Sequence, residues 1–226
     1  MHEPLITIFT PTYNREHLLP KVIESVLNQT YKNIEYIIVD DASTDNTELL
    51  IKSYNDSRIK YIKNEANKGN LYSSCLAMDS ATGEFMGVVD SDDYLELSCV
   101  EKCVKAIGNH GLIYTQCNYF GDKSGLVSMS SYKYSKEDLL RLFITFHFRM
   151  YRTELWHKIK PLTNVYHAWD YDLSLRLSEV TSVKFLKEPL YNWRIHSGNL
   201  HKNKTKLKED VTLIKEEAIK RRGLIS

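Results

Sequence analysis

The sequence predicts an α/β protein with a mostly parallel central sheet and helices on both faces. Three observations lead there. Between residues 5 and 107, short β-rich runs alternate with helix-patterned segments in the order βαβαβαβ, the connectivity that parallel strands require. The run Ile34–Val39 (IEYIIV) is almost uniformly apolar and β-branched, as a strand covered on both faces is. The composition, 42% hydrophobic and 26% charged over 226 residues, is that of a globular chain large enough to bury a core without disulfide or metal support.

Leu5–Thr10 is a short β-rich run, and residues 16–29 follow with Leu18, Leu19, Val22, Ile23, Val26 and Leu27 at helical spacing. After the strand Ile34–Val39, Ser43 or Thr44 with Asp45 and Glu48 supplies helix-start chemistry for a segment closing near Tyr54. Ile59–Ile62 reads as the third strand, Gly69–Ser80 as a helix and Phe85–Val89 as the fourth strand. Leu97–Ile107 reads as a helix with Val100, Val104 and Ile107 on one face. The second half is less regular. Leu112–Gln116 and Phe146–Tyr151 read as strands around a short helix, Lys136–Phe143. Trp169–Glu179 is a helix carrying Leu173, Leu175 and Leu177, and Val183–Leu186 and Leu190–Ile195 are strands. From Lys202 to Arg222 the chain turns charged; a thin stripe of Val211, Leu213, Ile214 and Ala218 predicts a solvated terminal helix. No linker interrupts the chain, so one domain over residues 1–201 is expected, with a charged helical extension over 202–226.

Lys and Arg number 30 against 29 Asp and Glu, a net charge of +1, which argues against a nucleic-acid partner. The four cysteines, Cys75, Cys99, Cys103 and Cys117, form no CxxC pair and are expected as reduced, mostly buried thiols. Met1-His2-Glu3-Pro4 lacks signal-peptide character and no apolar run approaches a membrane span, so a cytoplasmic chain is expected. The basic terminal segment leaves peripheral contact at the inner membrane face open.

The chemistry gathers at strand ends. The first strand runs into Thr10-Pro11-Thr12-Tyr13-Asn14-Arg15, the second into Asp40-Asp41-Ala42-Ser43-Thr44-Asp45, the fourth into Asp90-Ser91-Asp92-Asp93. In an open parallel sheet these ends share one edge, where ligands bind. Carboxylates two apart at a turn can share a hard cation; the competing reading is a helix cap with the remaining acids in water. An EF-hand over residues 41–52 fails, because its sixth position is Asn46 and its twelfth Lys52. A dinucleotide turn fails too, since no glycine occurs before Gly69, and no phosphate-cradling Gly-x-x-x-x-Gly-Lys loop is present.

These motifs, with Asn67-Lys68-Gly69 between the second and the fourth strand, resemble the ordered motifs of family 2 glycosyltransferases with the GT-A fold. His147-Phe148-Arg149-Met150, Trp169-Asp170-Tyr171-Asp172 through Leu177-Ser178-Glu179-Val180, and Ile195-His196-Ser197-Gly198-Asn199 extend the likeness to the glycosyltransferase domains of bacterial chondroitin and hyaluronan synthases. The resemblance covers about residues 4 to 200 and implies a nucleotide-binding half over 1–110 and an acceptor-binding half over 111–201. It implies that Pro11, Tyr13, Arg15, Asp40, Lys68, Asp90 and Ser91 surround the nucleotide, Asp40 meeting the uracil ring. It implies that Asp92, Asp90 and His196 hold a Mn²⁺ or Mg²⁺ on the diphosphate, and that Asp170 is the general base. Trp169 and Arg149 are expected to meet the acceptor, and Asp172 is a rival base.

The implied function is an inverting, metal-dependent transfer of sugar from a UDP-sugar to a glycan or lipid-linked hydroxyl, in surface polysaccharide or glycoconjugate synthesis. A base working near neutral pH is expected to sit partly desolvated, with its pKa raised above the ~3.9 of a free aspartate. The alternative is a non-catalytic sugar-nucleotide or glycan-binding module, which would need no base. A sugar nucleotidyltransferase would open with a glycine-rich basic loop, which this chain lacks.

Overall fold

The structure is a computed structural model, and it describes residues 3–165, 167–196 and 204–224. Strands β1 (Ile6–Thr12), β2 (Ile34–Asp40) and β3 (Ile59–Lys63) alternate with helices α1 (Leu19–Leu27), α2 (Thr47–Ser53) and α3 (Asn70–Ser80) before β4 (Phe85–Val88). A two-residue strand β5 (Tyr94–Leu95) and helix α4 (Cys99–Ile107) lead to β6 (Leu112–Gly121), β7 (Gly125–Leu126) and helix α5 (Lys136–Arg141). Strand β8 (Arg149–Arg152), helices α6 (Thr153–Ile159) and α7 (Trp169–Val180), strand β9 (Val183–Ile195) and helix α8 (Lys204–Arg221) complete the chain.

The strands form one sheet in the order β3-β2-β1-β4-β8-β6-β9-β5, with β7 beside β6. β1 pairs in parallel with β2 and with β4, so the chain leaves β1 on one side and returns on the other. That reversal opens a crevice beyond the carboxyl ends of β1 and β4. The α/β expectation holds, but the sheet is mixed. β8 runs antiparallel between β4 and β6, and β5 runs antiparallel to β9.

Alternation explains the uniform apolar runs. Ile6, Ile8, Tyr36 and Ile38 pack with Leu19, Val22, Ile23 and Val26 of α1 on one face. Phe9, Ile37 and Val39 pack with Ala77 and Met78 of α3 on the other. Both faces are dry, so the polar residues within these strands are hydrogen-bonded, Thr7 to Glu35 at 2.7 Å and Thr10 to the Val89 carbonyl at 2.8 Å.

The second half departs from the sequence reading at three places. α6 directly follows β8 and buries Leu155, Trp156 and Ile159, too short a pattern to stand out. The two strands read at 183–195 are a single β9, whose register against β6 slips between Thr115 and Gln116 and again between Gln116 and Cys117. The slip takes up the residues around Pro189, which cannot donate to the ladder. Finally, α8 is docked, not solvated. Asp210, Ile214 and Ala218 are buried against the body, Leu213 faces outward, and Arg221 and Arg222 bridge to Glu179 of α7. No helix among the described residues is long and apolar enough to cross a membrane.

Gly87 sits where β4 touches both β1 and β8, opposite Ile8 and Met150. A Cβ there would lie 2.7 Å from the Arg149 carbonyl oxygen and 2.5 Å from the Phe148 ring. Backbone cannot give way as a side chain can, so Gly87→Ala is expected to destabilise the fold by about 1–3 kcal/mol, measured as a lower urea midpoint.

Candidate active site

The first wall of the crevice is two loops tied to each other. Asn14, in a left-handed conformation (φ 51°), donates its backbone N–H to Ser43 Oγ at 2.9 Å and accepts the Thr44 N–H at 2.8 Å. The Arg15 N–H donates to Thr47 Oγ1 at 3.0 Å. Pro11 is buried in β1, while Tyr13 stands exposed at its end.

Asp40 was expected to meet a base directly, and the structure places it otherwise. It is 0% exposed, with Oδ1 accepting the Ser43 N–H at 2.8 Å and Oδ2 the Tyr61 hydroxyl at 2.8 Å. Its carboxylate therefore sits behind the wall and fixes the β2–α2 turn. Asp41 is also buried: it accepts the Lys68 and Gly69 N–H groups at 2.9 and 2.7 Å and the Asn64 amide at 2.7 Å, anchoring the entry to α3. Lys68 is exposed there, its ammonium 4.6 Å from the Tyr72 ring centroid.

The second wall is the acid run after β4. Asp93 is buried and accepts the Tyr191 hydroxyl at 2.7 Å and the Arg194 N–H at 2.7 Å. Burial pushes its carboxyl well above the usual range, reinforced by the neighbouring Asp92 and Asp90 carboxylates. The Tyr191 hydroxyl also accepts the Asp90 N–H at 3.1 Å, so one phenol from β9 sets the turn between two aspartates. Ser91 lies half-buried between them. Asp92 Oδ2 meets His196 Nε2 at 2.9 Å, and its carbonyl accepts Arg194 Nε at 2.8 Å.

The third wall was only partly foreseen. Arg149, expected to reach an acceptor, is 1% exposed and donates Nη2 to Asp170 Oδ2 at 2.6 Å. Its Nη1 donates to the Thr145 carbonyl at 3.1 Å. His147 Nε2 lies 3.5 Å from Asp170 Oδ2 and 3.6 Å from Asp90 Oδ2, its ring stacked on Tyr191 at 4.9 Å. His147 thus stands between the two acids, in the turn just before β8.

These contacts reverse one expectation about Asp170. Burial works to raise its carboxyl, but the Arg149 guanidinium, with help from His147, outweighs it and holds the group well below the usual range. Asp90 goes the other way. Burial first, then the Asp92 and Asp170 carboxylates, raise it against the pull of His147 and Arg149. Asp172 is fully buried, accepting Arg176 Nε at 2.9 Å and the Thr163 N–H at 2.7 Å, which makes it a brace for α7 and no rival to Asp170. Trp169 is buried in the core cluster beneath α7, with one edge at the cavity.

Asp90, His147 and Asp170 open into one cavity of about 350 Å³, together with Phe146, Trp169 and Trp193. Aromatic faces beside carboxylates suit a ring with an apolar C–H face and polar hydroxyls. Among the described residues no three His, Cys, Asp or Glu side chains gather into a cation cage. The Asp92–His196 pair offers one oxygen and one nitrogen donor, and Asp90, expected in the same set, turns toward His147. Two protein donors suit a Mg²⁺ or Mn²⁺ whose remaining positions are filled by phosphate oxygens and water.

Comparison with known proteins follows the same outline. The model described as glycosyl transferase family 2 matches residues 7–167. The hyaluronan synthase of Pasteurella multocida is 32% identical over 230 residues, covering 98% of this chain and 24% of that protein. The chondroitin synthase of Escherichia coli is 32% identical over 231 residues, 98% of this chain and 33% of that protein. The chain thus spans a quarter to a third of the length of these curated relatives. The crystal structure of S. aureus TarS 1–349 in complex with UDP-GlcNAc superimposes with a TM-score of 0.79 at 22% identity, covering 92% of this chain and 65% of that one. The shared fold is GT-A, with the mixed sheet described above.

Removing Arg149 strands Asp170 as a buried charge. Arg149→Met is expected to cost about 3 kcal/mol or more at neutral pH. In the native protein the folded pKa of Asp170 is depressed, so its stabilisation is present above the unfolded value of ~3.9 and lost below it. In the variant the folded pKa rises, so the penalty is relieved as pH falls. Denaturant titrations should show the stability gap narrowing from pH 7 to pH 4.

Proposed function

Because the chain belongs to glycosyl transferase family 2, we propose that it moves a sugar from a UDP-sugar to a hydroxyl of a glycan or lipid-linked acceptor, with inversion at the anomeric carbon, in surface polysaccharide or glycoconjugate synthesis. One observation carries this reading: an ionised Asp170 shares a cavity with Asp90 at the carboxyl edge of the sheet, beside Asp92 and His196.

The nucleotide lies along the β1 and β2 ends, against Pro11, Tyr13 and Arg15, with Lys68 at its far side. Asp40 shapes this wall from behind. Asp90 and Ser91 face the ribose. Asp92 and His196 would hold a Mn²⁺ or Mg²⁺, which when bound supplies positive charge for the departing diphosphate. The acceptor oxygen attacks the anomeric carbon from the face opposite the diphosphate. Its new bond forms as the carbon–oxygen bond to the diphosphate breaks, the leaving oxygen keeping the electron pair. Asp170 takes the hydroxyl proton.

The depressed pKa of Asp170 says when that proton moves. A weak base accepts only after the attacking oxygen has become acidic, late in bond formation. Arg149 keeps the carboxylate ionised and pointed into the cavity, and His147 Nε2 lies 3.5 Å from the same oxygen. Acidifying toward pH 5 leaves Asp170 ionised, so any loss of rate there belongs to another group.

Two variants test the assignment by turnover and calorimetry with UDP-sugars and Mn²⁺. Asp170→Asn should retain UDP affinity while turnover falls by roughly 10²–10⁴-fold; near-normal turnover would exclude it as the base and favour a binding module. Asp92→Ala should bind UDP equally with and without Mn²⁺, and an undiminished metal effect would remove Asp92 from the cation site.

A further inference from the structure

Helix α8 does more than cover the body. Residues His167–Trp169 lead into α7 and present Asp170. Ala168 lies in the left-handed region (φ 56°, ψ 23°), and no side chain caps α7 from within the turn. A non-glycine residue in that region is disfavoured by about 1–2 kcal/mol, so surrounding contacts must hold it.

Those contacts come from α8. Asp210 Oδ2 accepts the His167 backbone N–H at 2.8 Å and meets His167 Nδ1 at 3.2 Å. Both side chains are 5% exposed, and Lys206 Nζ lies 3.5 Å from the other Asp210 oxygen. Burial works to raise the Asp210 carboxyl, but the His167 and Lys206 contacts outweigh it and hold it below the usual range. Leu207, one turn away on the same helix, lines the cavity beside Ala168 and Asp170. Docking of α8 has its own means: buried Ile214 and Ala218, and the Arg221 and Arg222 bridges to Glu179 at the far end of α7. A buried carboxylate is a costly way to fasten a helix that apolar contacts already fasten.

We propose that Asp210 is a positioning residue for the transfer: it clamps the His167–Ala168 turn and thereby fixes where the Asp170 carboxylate stands. This rests on the reading of Asp170 as the base. The clamp sets the angle of the carboxylate toward the acceptor oxygen; Asp210 shares a cavity with Lys68, but its hydrogen bonds and ion pairs go to His167 and Lys206, so its loss is read in kcat and not in donor KM.

The test compares wild type with Asp210→Ala, Asp210→Asn and Arg222→Gln, the last loosening the far end of α8 at Glu179 and Ser178. UDP release is followed from UDP-glucose, UDP-N-acetylglucosamine and UDP-glucuronic acid with Mn²⁺. Asp210→Ala should lower kcat roughly 10- to 100-fold with donor KM within about twofold of wild type. Asp210→Asn, which keeps an oxygen for the His167 N–H, should recover most of the rate, and Arg222→Gln should stay near wild type. A kcat unchanged in Asp210→Ala, an Asn variant as slow as the Ala variant, or an equal loss in Arg222→Gln overturns the proposal. Should wild type release UDP from none of the three donors, the functional reading fails on its own, and amide hydrogen exchange decides the clamp. Faster exchange at residues 167–170 in Asp210→Ala, with circular dichroism unchanged, supports it, and exchange equal to wild type overturns it.

Discussion

Arg149 and Asp170 meet at 2.6 Å with the guanidinium almost wholly withdrawn from water, and the second half of the molecule is arranged to make that contact. A buried arginine is tolerable only when most of its donors are met; here the Thr145 carbonyl meets Nη1, the Asp170 carboxylate and the His147 ring meet Nη2, and Nε has no partner among the described residues. Strand direction delivers the cation. Because β8 runs antiparallel to β4, its beginning lies beside the end of β4, with Met150 level with Gly87. Arg149 therefore arrives at the edge where the acids after β4 emerge. A parallel strand in that slot would present its far end there. The mixed character of the sheet is thus the means by which a crowd of carboxylates acquires a counter-charge.

Around that pair, carboxylates and nitrogen donors alternate. Asp90 and Asp170 meet His147, Asp170 also meets Arg149, Asp92 meets His196, and Asp93 accepts the Arg194 backbone N–H. The acids do not share one environment. Asp170 is held low by its guanidinium partner, whereas burial and two neighbouring carboxylates push Asp93 well above the usual range. Divergent proton affinities within one cleft separate a group that can receive a proton from one that shapes the turn.

Much of this architecture was legible in the residue pattern, and the exceptions have physical causes. Ile34–Val39 and its neighbours declared themselves because both faces of those strands are dry. The polar runs after Thr10, Val39 and Val89 marked the binding edge because apolar strands end abruptly there. Arg149 was misread because its partner lies 21 residues on, in another element, and local pattern carries no record of such a pairing. For Asp40 the family resemblance implies a contact with the uracil ring, and the sequence carries no record that Tyr61 and Ser43 enclose its carboxylate. In α8 a search for apolar stripes finds Ile214 and Ala218 but passes over Asp210 in the same buried row, because it is an acid.

The irregular stretch of β9 has a consequence for the whole cleft. Thr115 pairs with Leu186 but Cys117 pairs with Tyr191, so β9 spends three more residues than β6 over the same span. Three is odd, and side chains on a strand alternate, so the detour inverts which face every later residue of β9 presents. The phenol that joins Asp93 to the Asp90 amide is there by virtue of that inversion. Trimming one residue from Lys187–Pro189 would turn the ring of Tyr191 to the opposite side of the sheet, and a neighbour with no hydroxyl at that height would take its place.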